Sequence, residues 1–166
     1  HAPSLFLWDK FYLYRRLHGG NIVSRIGVNI IAHYLRQWDR QAADRVDYFI
    51  ANSQTTKNRI AKFYRRESTV IYPPVDVKRF RYDRPPERFF LIVSQLTAYK
   101  NIDIAIEAFN KMRLHLLIIG EGPEENRLRS MARSNITFMG FLSDKQVTKY
   151  YERCHALVFP GSDDFG

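Results

Sequence analysis

Apolar residues recur along this chain in two rhythms. From Ile22 the interval is four: Ile22, Ile26, Ile30, Tyr34 and Trp38 follow one another, with Val23, Ile31 and Leu35 beside them. Arg25, Arg36 and Arg40 fall opposite, so the segment reads as one helix with an apolar face. Asn21 can cap it and no proline interrupts it, which predicts a long helix over about 22–45. An aromatic-rich helix over 8–17 precedes it and stops at Gly19-Gly20. From residue 48 the rhythm changes. Short apolar runs at 48–51, 69–72, 89–93, 114–119, 136–138 and 156–159 read as strands. Between them, 55–64, 102–112, 124–133 and the segment behind Ser143 that carries Val147, Tyr150 and Tyr151 read as helices. Strands apolar throughout, separated by helices of about ten residues, argue an α/β fold with a parallel sheet covered on both faces.

Residues 76–88 carry Lys78, Arg79, Arg81, Arg84, Pro85, Pro86 and Arg88 and read as an exposed linker. The expected organisation is 1–87 for a first domain with a helical start plus its linker, and 88–166 for the first part of a second. The stretch opens inside His-Ala-Pro and stops after Asp-Phe-Gly, just past a strand. It is therefore expected to be a truncated piece whose sheet is unfinished.

The 166 residues amount to about one average domain, and 45% hydrophobic content excludes a disordered tail. No run reaches the roughly 18 apolar residues of a membrane span. A lone cysteine, Cys154, excludes an internal disulfide framework and a cysteine-based zinc site. Charge is the informative property. Residues 1–86 hold sixteen Lys or Arg against seven Asp or Glu, so the whole net charge of +9 sits there, together with both tryptophans. Nucleic acid, anionic lipid and a phosphorylated substrate are equally served by such a surplus. The cations lack the arrangement of a recognisable nucleic-acid module, so no nucleic-acid partner is expected.

Candidate chemistry lies in the loops after the strands, where open parallel sheets bind ligands. Lys100 follows the strand at 89–93 and opens a helix: an anion site, or equally a solvated lysine. Gly120-Glu121-Gly122-Pro123 follows the next strand but lacks the third glycine of a dinucleotide fingerprint, which leaves a tight turn into a helix. Asp163 and Asp164 follow the last strand. They suit a metal, acid–base work or sugar hydroxyls, and also plain turn chemistry. His1 is either part of a native segment or a tag remnant, and the other four histidines share no ligand spacing.

Several segments together resemble glycosyltransferase family 4, the retaining nucleotide-sugar enzymes with two Rossmann-like domains (the GT-B fold). Tyr-Phe-Ile-Ala-Asn-Ser at 48–53 and Val-Ile-Tyr-Pro-Pro-Val-Asp at 70–76 resemble the end of the family's N-terminal domain. Val93-Ser94-Gln95-Leu96 with Lys100 resembles its Ser-Arg-Leu…Lys loop, and Gly-Glu-Gly-Pro at 120–123, Phe-Met-Gly at 138–140 and Val-Phe-Pro at 158–160 also fit. Asp163-Asp-Phe-Gly resembles the start of the family's Glu-(seven residues)-Glu motif. His1-Ala-Pro…Trp8-Asp9 is similar to a segment of a mannosyltransferase-like subgroup. The chain departs from the pattern at Gln95 for Arg, Asp163 for Glu, Leu5 for Arg and Ala2 for Thr.

The resemblance implies a hexosyltransferase of polysaccharide or glycoconjugate biosynthesis, moving mannose from GDP-mannose to a glycan or lipid-linked acceptor. Lys100, Gln95 and Asn101 would hold the donor diphosphate, and no metal or other cofactor would be needed. His1 and Asp163 would be catalytic, meeting the donor sugar from opposite domains. Glu121, Gly122, Pro123, Phe141 and Asp164 would form the loops around nucleotide and sugar, with Phe141 near the base. The basic residues 1–86 would rest on the anionic inner face of a membrane, making the protein cytoplasmic and peripheral. The alternative is a non-catalytic half-protein that docks or regulates a complete enzyme.

Overall fold

The computed structural model describes residues 3, 4, 6–12, 15, 20–81, 83 and 85–161. The chain forms two compact units that divide between Pro74 and Val75.

In the first unit, helix α1 (Ile22–Asp44) leads to strand β1 (Ile50–Ala51), helix α2 (Gln54–Tyr64) and strand β2 (Thr69–Val70). Of the helix expected over 8–17, the described part forms a turn at residues 6–9 and helical backbone at Phe11 and Tyr12. The two strands pair in parallel, Ile50 opposite Thr69 and Ala51 opposite Val70. They are shorter than the apolar runs that predict them, because only these positions face a neighbouring strand. Both helices start on side-chain caps: Asn21 accepts from the Ser24 amide and Ser53 from the Thr56 amide. The far end of α1 is closed by Arg66, whose guanidinium donates to the carbonyls of Ala43 (3.1 Å) and Val46 (2.7 Å). The core consists of Ala43, Phe49, Ala51, Ile60 and Tyr64, with Phe63 and Val70 against it.

The apolar face expected of α1 is present but does not form this core. Ile22 is 75% and Trp38 63% exposed, and Ile26, Ile30 and Tyr34 are exposed as well. The helix packs instead through a stripe of Ala32, Arg36, Asp39 and Ala43. Arg36 Nε donates to the Leu7 carbonyl at 2.6 Å and its guanidinium lies over the rings of Trp8 and Phe11. Asp39 Oδ2 accepts from Trp8 Nε1 at 2.8 Å and from the Tyr64 hydroxyl at 3.0 Å. Periodicity reveals an apolar stripe, yet here polar pairing with the Trp8 segment decides which side docks.

The second unit alternates strictly. Strand β3 (Phe90–Val93) is followed by α3 (Ile102–Met112), β4 (Leu116–Ile119), α4 (Glu125–Met131), β5 (Ile136–Gly140), α5 (Asp144–Arg153) and β6 (Ala156–Leu157). All four strands are parallel, in the order β5-β4-β3-β6. Both faces are covered, which explains why the strands carry no polar alternation. Ile92, Leu116 and Ile118 pack with Ile102, Ile106 and Phe109 of α3 and Leu128 of α4 on one face. Leu91, Leu117 and Ile119 pack with Val147, Tyr150 and Tyr151 of α5 on the other. The stretch after Val75 follows α5: the Arg81 amide donates to Glu152 at 2.9 Å, Phe80 meets Tyr151 edge-on, and Glu87 pairs with Arg153. Strand order reverses beside β3, with β4 on one side and β6 on the other. That reversal opens a crevice beyond the carboxyl ends of the strands.

Candidate functional site

The loops leaving β3, β4 and β5 are held to one another by backbone bonds that continue past the strands. The Ser94 amide donates to the Ile119 carbonyl at 3.0 Å, Leu96 to Glu121 at 2.9 Å, Glu124 back to Leu96 at 3.1 Å, and Gly120 to Gly140 at 2.8 Å. Two glycines make this approach feasible. Gly120 has φ +129°, and a Cβ on it would sit 2.0 Å from the Ser94 carbonyl oxygen; one on Gly122 would sit 2.3 Å from that of Leu96. The Gly120-Glu121-Gly122 run is therefore a seam between two loops, a role its failed dinucleotide spacing left open. Pro123 and Glu124 form the turn that follows, ahead of α4.

Beyond this seam lies a cleft of about 490 Å³. Val93, Ile119, Leu142 and Val147 give it an apolar floor, while Gln95, Glu121, Asp144 and Arg79 give it a polar rim. Tyr151 and Phe141 add two aromatic rings, the second 76% exposed. Burial pushes the Tyr151 hydroxyl above its ordinary value, the Cys154 thiol adds to this and Arg79 opposes it. A largely apolar recess with a few placed polar groups suits a flat heterocycle better than an extended polar chain.

Lys100 stands further along the loop that leaves β3, at the end of a 3₁₀ turn, Ala98–Lys100. Asn101 follows with φ 53°, turning the chain sharply into α3. The Asn101 amide is spent on the Ala98 carbonyl at 3.3 Å, so any ligand contact of this residue falls to its side chain. The Lys100 ammonium lies 5.9 Å from the centroid of Phe159, just past β6. This cation, the start of α3 and the end of β6 thus meet where strand order reverses.

Of the residues singled out from sequence, Gln95, Glu121 and Phe141 line the cleft. Gly122 belongs to the seam between the two loops and Pro123 to the turn after it, and Lys100 and Asn101 stand further along the loop that carries Gln95. His1, Asp163 and Asp164 lie outside the described residues. Sequence reasoning missed Arg79, Asp144 and Tyr151. For two of these a signal existed: Asp144, Val147 and Tyr151 stand at intervals of three and four on one predicted helix. Arg79 in the basic stretch after Val75 gave none. Among the described residues no three His, Cys, Asp or Glu converge on a possible metal position.

A parallel sheet with helices on both faces and a cleft beyond the carboxyl ends of its strands defines a Rossmann-like ligand-binding domain. The chain belongs to the glycosyltransferases: the family model "Glycosyl transferases group 1" matches residues 75–166 and "Glycosyltransferase Family 4" matches residues 8–79. O-antigen chain mannosyltransferase C of Escherichia coli is 31% identical over 135 residues, covering 71% of this chain and 35% of that protein. D-rhamnosyltransferase WbpZ of Pseudomonas aeruginosa is 26% identical over 154 residues, 82% of this chain and 39% of that one. The chain thus spans little more than a third of the length of these relatives. Among solved structures, HepE of Anabaena in complex with UDP and glucose aligns with a TM-score of 0.61 at 18% identity, covering 74% of this chain and 40% of that one. A point mutant of TarM from S. aureus, in complex with fondaparinux, α-GlcNAc-glycerol and UDP, gives a TM-score of 0.60 at 17% identity, covering 73% of this chain and 26% of that one. The fold is that of GT-B glycosyltransferases, α/β with parallel sheets and flanking helices.

Proposed function

We propose that the protein is a retaining mannosyltransferase that moves mannose from GDP-mannose to a glycan or lipid-linked acceptor. The observation that carries this reading is the cleft beyond β3, β4 and β5, with Lys100 further along the loop that leaves β3. It offers a recess for a base beside a cation for a diphosphate. Further support comes from the likeness to the E. coli mannosyltransferase. Breaking the donor's anomeric C–O bond leaves negative charge on the diphosphate and positive charge on the sugar ring. The Lys100 ammonium and the start of α3, with its partial positive charge, are suited to receive the former. Gln95 and the Asn101 side chain add neutral donors. In this reading Asp163 and His1 are catalytic, Asp163 taking hydrogen bonds from the sugar hydroxyls, and Asp164 belongs to the donor-binding loops. One fixed cation and the start of α3 meet the leaving group, so in this reading the reaction needs no divalent metal.

The basic surplus of residues 1–86 and the exposed apolar face of α1 support an acceptor presented at the anionic cytoplasmic face of a membrane. Among the described residues no helix is long and apolar enough to cross one.

The test is transfer of labelled mannose by the purified protein to a lipid-extracted acceptor, with GDP-mannose and UDP-glucose in parallel. GDP-mannose is expected to be used at least about a hundredfold better in kcat/KM. Preference for the uridine donor would refute the donor assignment. Vesicles containing anionic lipid are expected to retain the protein and neutral ones to release it.

A further inference from the structure

We propose that Phe159 is a positioning residue that orders the Lys100 ammonium before the donor's diphosphate arrives. The proposal rests on the reading above, that Lys100 meets the leaving group. A lysine carries its charge on a flexible four-carbon stem with many rotamers to lose. A cation that stabilises charge as it develops works best when that ordering is complete in advance. A carboxylate partner would order the stem but would also compete with the diphosphate for the ammonium. An aromatic face orders it and leaves the charge available.

Lys100 has two such faces. Its Nζ lies 5.1 Å from the ring centroid of Tyr99 and 5.9 Å from that of Phe159. Tyr99 belongs to the same 3₁₀ turn as Lys100. Phe159 comes from the segment after β6, so it is the ring that ties the cation to the end of the sheet. The backbone is anchored on both sides of this contact. The Lys100 amide donates to the Thr97 carbonyl at 3.1 Å. The Val158 amide donates to the Leu91 carbonyl at 2.8 Å, so pairing with β3 runs up to the residue before the ring. Pro160 follows and disfavours helical backbone at Phe159. Gly161 then lies against the ring, since a Cβ there would come within 3.0 Å of Phe159 Cζ. At 55% exposure the ring contributes little to the core, so it can be replaced without emptying a packed site.

The test pairs Phe159→Leu, which removes the ring and keeps an apolar side chain, with Phe159→Tyr, which keeps the ring. With GDP-mannose as donor, Phe159→Leu is expected to lower kcat by about two- to fivefold at unchanged KM, the range of one exposed cation–π contact. Phe159→Tyr should turn over like wild type. In a Lys100→Met background there is no ammonium to place, and Phe159→Leu should then cost nothing further. A wild-type kcat in Phe159→Leu, or the same loss in both backgrounds, would overturn the proposal and leave Lys100 its role. Wild-type turnover in Lys100→Met would overturn both. A second measurement needs no donor: proton–carbon NMR of the protein with ¹³C-labelled lysine. The Lys100 ε-methylene signal, identified by its loss in Lys100→Met, is expected upfield of the other lysines and should move toward them in Phe159→Leu. A signal that does not move would refute the contact, whichever donor the protein uses.

Discussion

The Glu121 carboxylate accepts a hydrogen bond from the Phe141 amide at 3.2 Å, across 20 residues of sequence. This bond ties the loop after β4 to the loop after β5, and both loops line the cleft. Gly140, with φ 66°, makes the bend that turns the Phe141 amide out of the strand. A cleft wall made of two loops is only as fixed as the link between them.

Cutting that link should loosen nucleotide binding without choosing among bases. Glu121→Ala is expected to weaken GDP and UDP together, by about tenfold, the value of one hydrogen bond to a charged group. Glu121→Gln keeps a carbonyl acceptor for the Phe141 amide and should retain most of the affinity. Calorimetry on both variants checks this. Equal losses in the two would mean that the charge matters and the tether does not.

The seam between the first two loops predicts a sharp contrast among glycines. Gly120→Ala must hold φ +129° with a Cβ 2.0 Å from a backbone oxygen, so the second unit should lose about 3 kcal/mol or more. Gly27, inside α1, has nothing within 4 Å of an added Cβ. Alanine there should stabilise the helix by up to about 1 kcal/mol. Urea unfolding followed by far-UV circular dichroism measures both. Two substitutions of the same size with the same sign of effect would contradict the close approach.

Lys100 carries the proposed charge stabilisation, and this separates binding from rate. Lys100→Ala should lower kcat by about 10²–10³, the range for removing one stabilising group from a developing anion, with a smaller change in KM. A chelator should leave wild-type turnover unchanged. Unaltered kcat in the variant, or loss of turnover with EDTA, would move the work from Lys100 to another agent.

Much of this arrangement is legible in the sequence because parallel α/β units write themselves clearly. Leu116, Leu117, Ile118 and Ile119 are apolar on successive positions since α3 and α4 cover one face of β4 and α5 the other. Ser94, Gln95 and Glu121 are legible because ligand loops follow strands. Two things are not. The docking side of α1 is set by Asp39 and Arg36 meeting Trp8, a long-range polar match that no periodicity encodes. The role of Gly120 and Gly122 depends on how near another loop passes, and spacing within one segment carries no trace of that.

The Asp39 pairing leads to a prediction about alkaline pH. Tyr64, 7% exposed, donates its hydroxyl to Asp39 Oδ2, which also accepts from Trp8. Burial raises the Tyr64 hydroxyl well above the ordinary tyrosine range, and the bond to Asp39 and its negative charge push the same way. An unfolded chain releases this proton near pH 10, roughly the free tyrosine value, whereas the native chain keeps it. Above that pH the native state binds one more proton than the unfolded state, so its stability falls as pH rises. The stabilisation is fully present below about pH 10 and drains away by about 1.4 kcal/mol for each further pH unit. Tyr64→Phe should be less stable than wild type at pH 8 by about 1 kcal/mol, for the lost hydrogen bond. By pH 11 that gap should have closed or reversed, because phenylalanine has no proton to hold. Both tryptophans lie in the first unit, so urea midpoints followed by their fluorescence at the two pH values report on this part of the chain. Parallel pH profiles for the two proteins would show that Tyr64 titrates as a free tyrosine and that its bond to Asp39 contributes nothing to this unit.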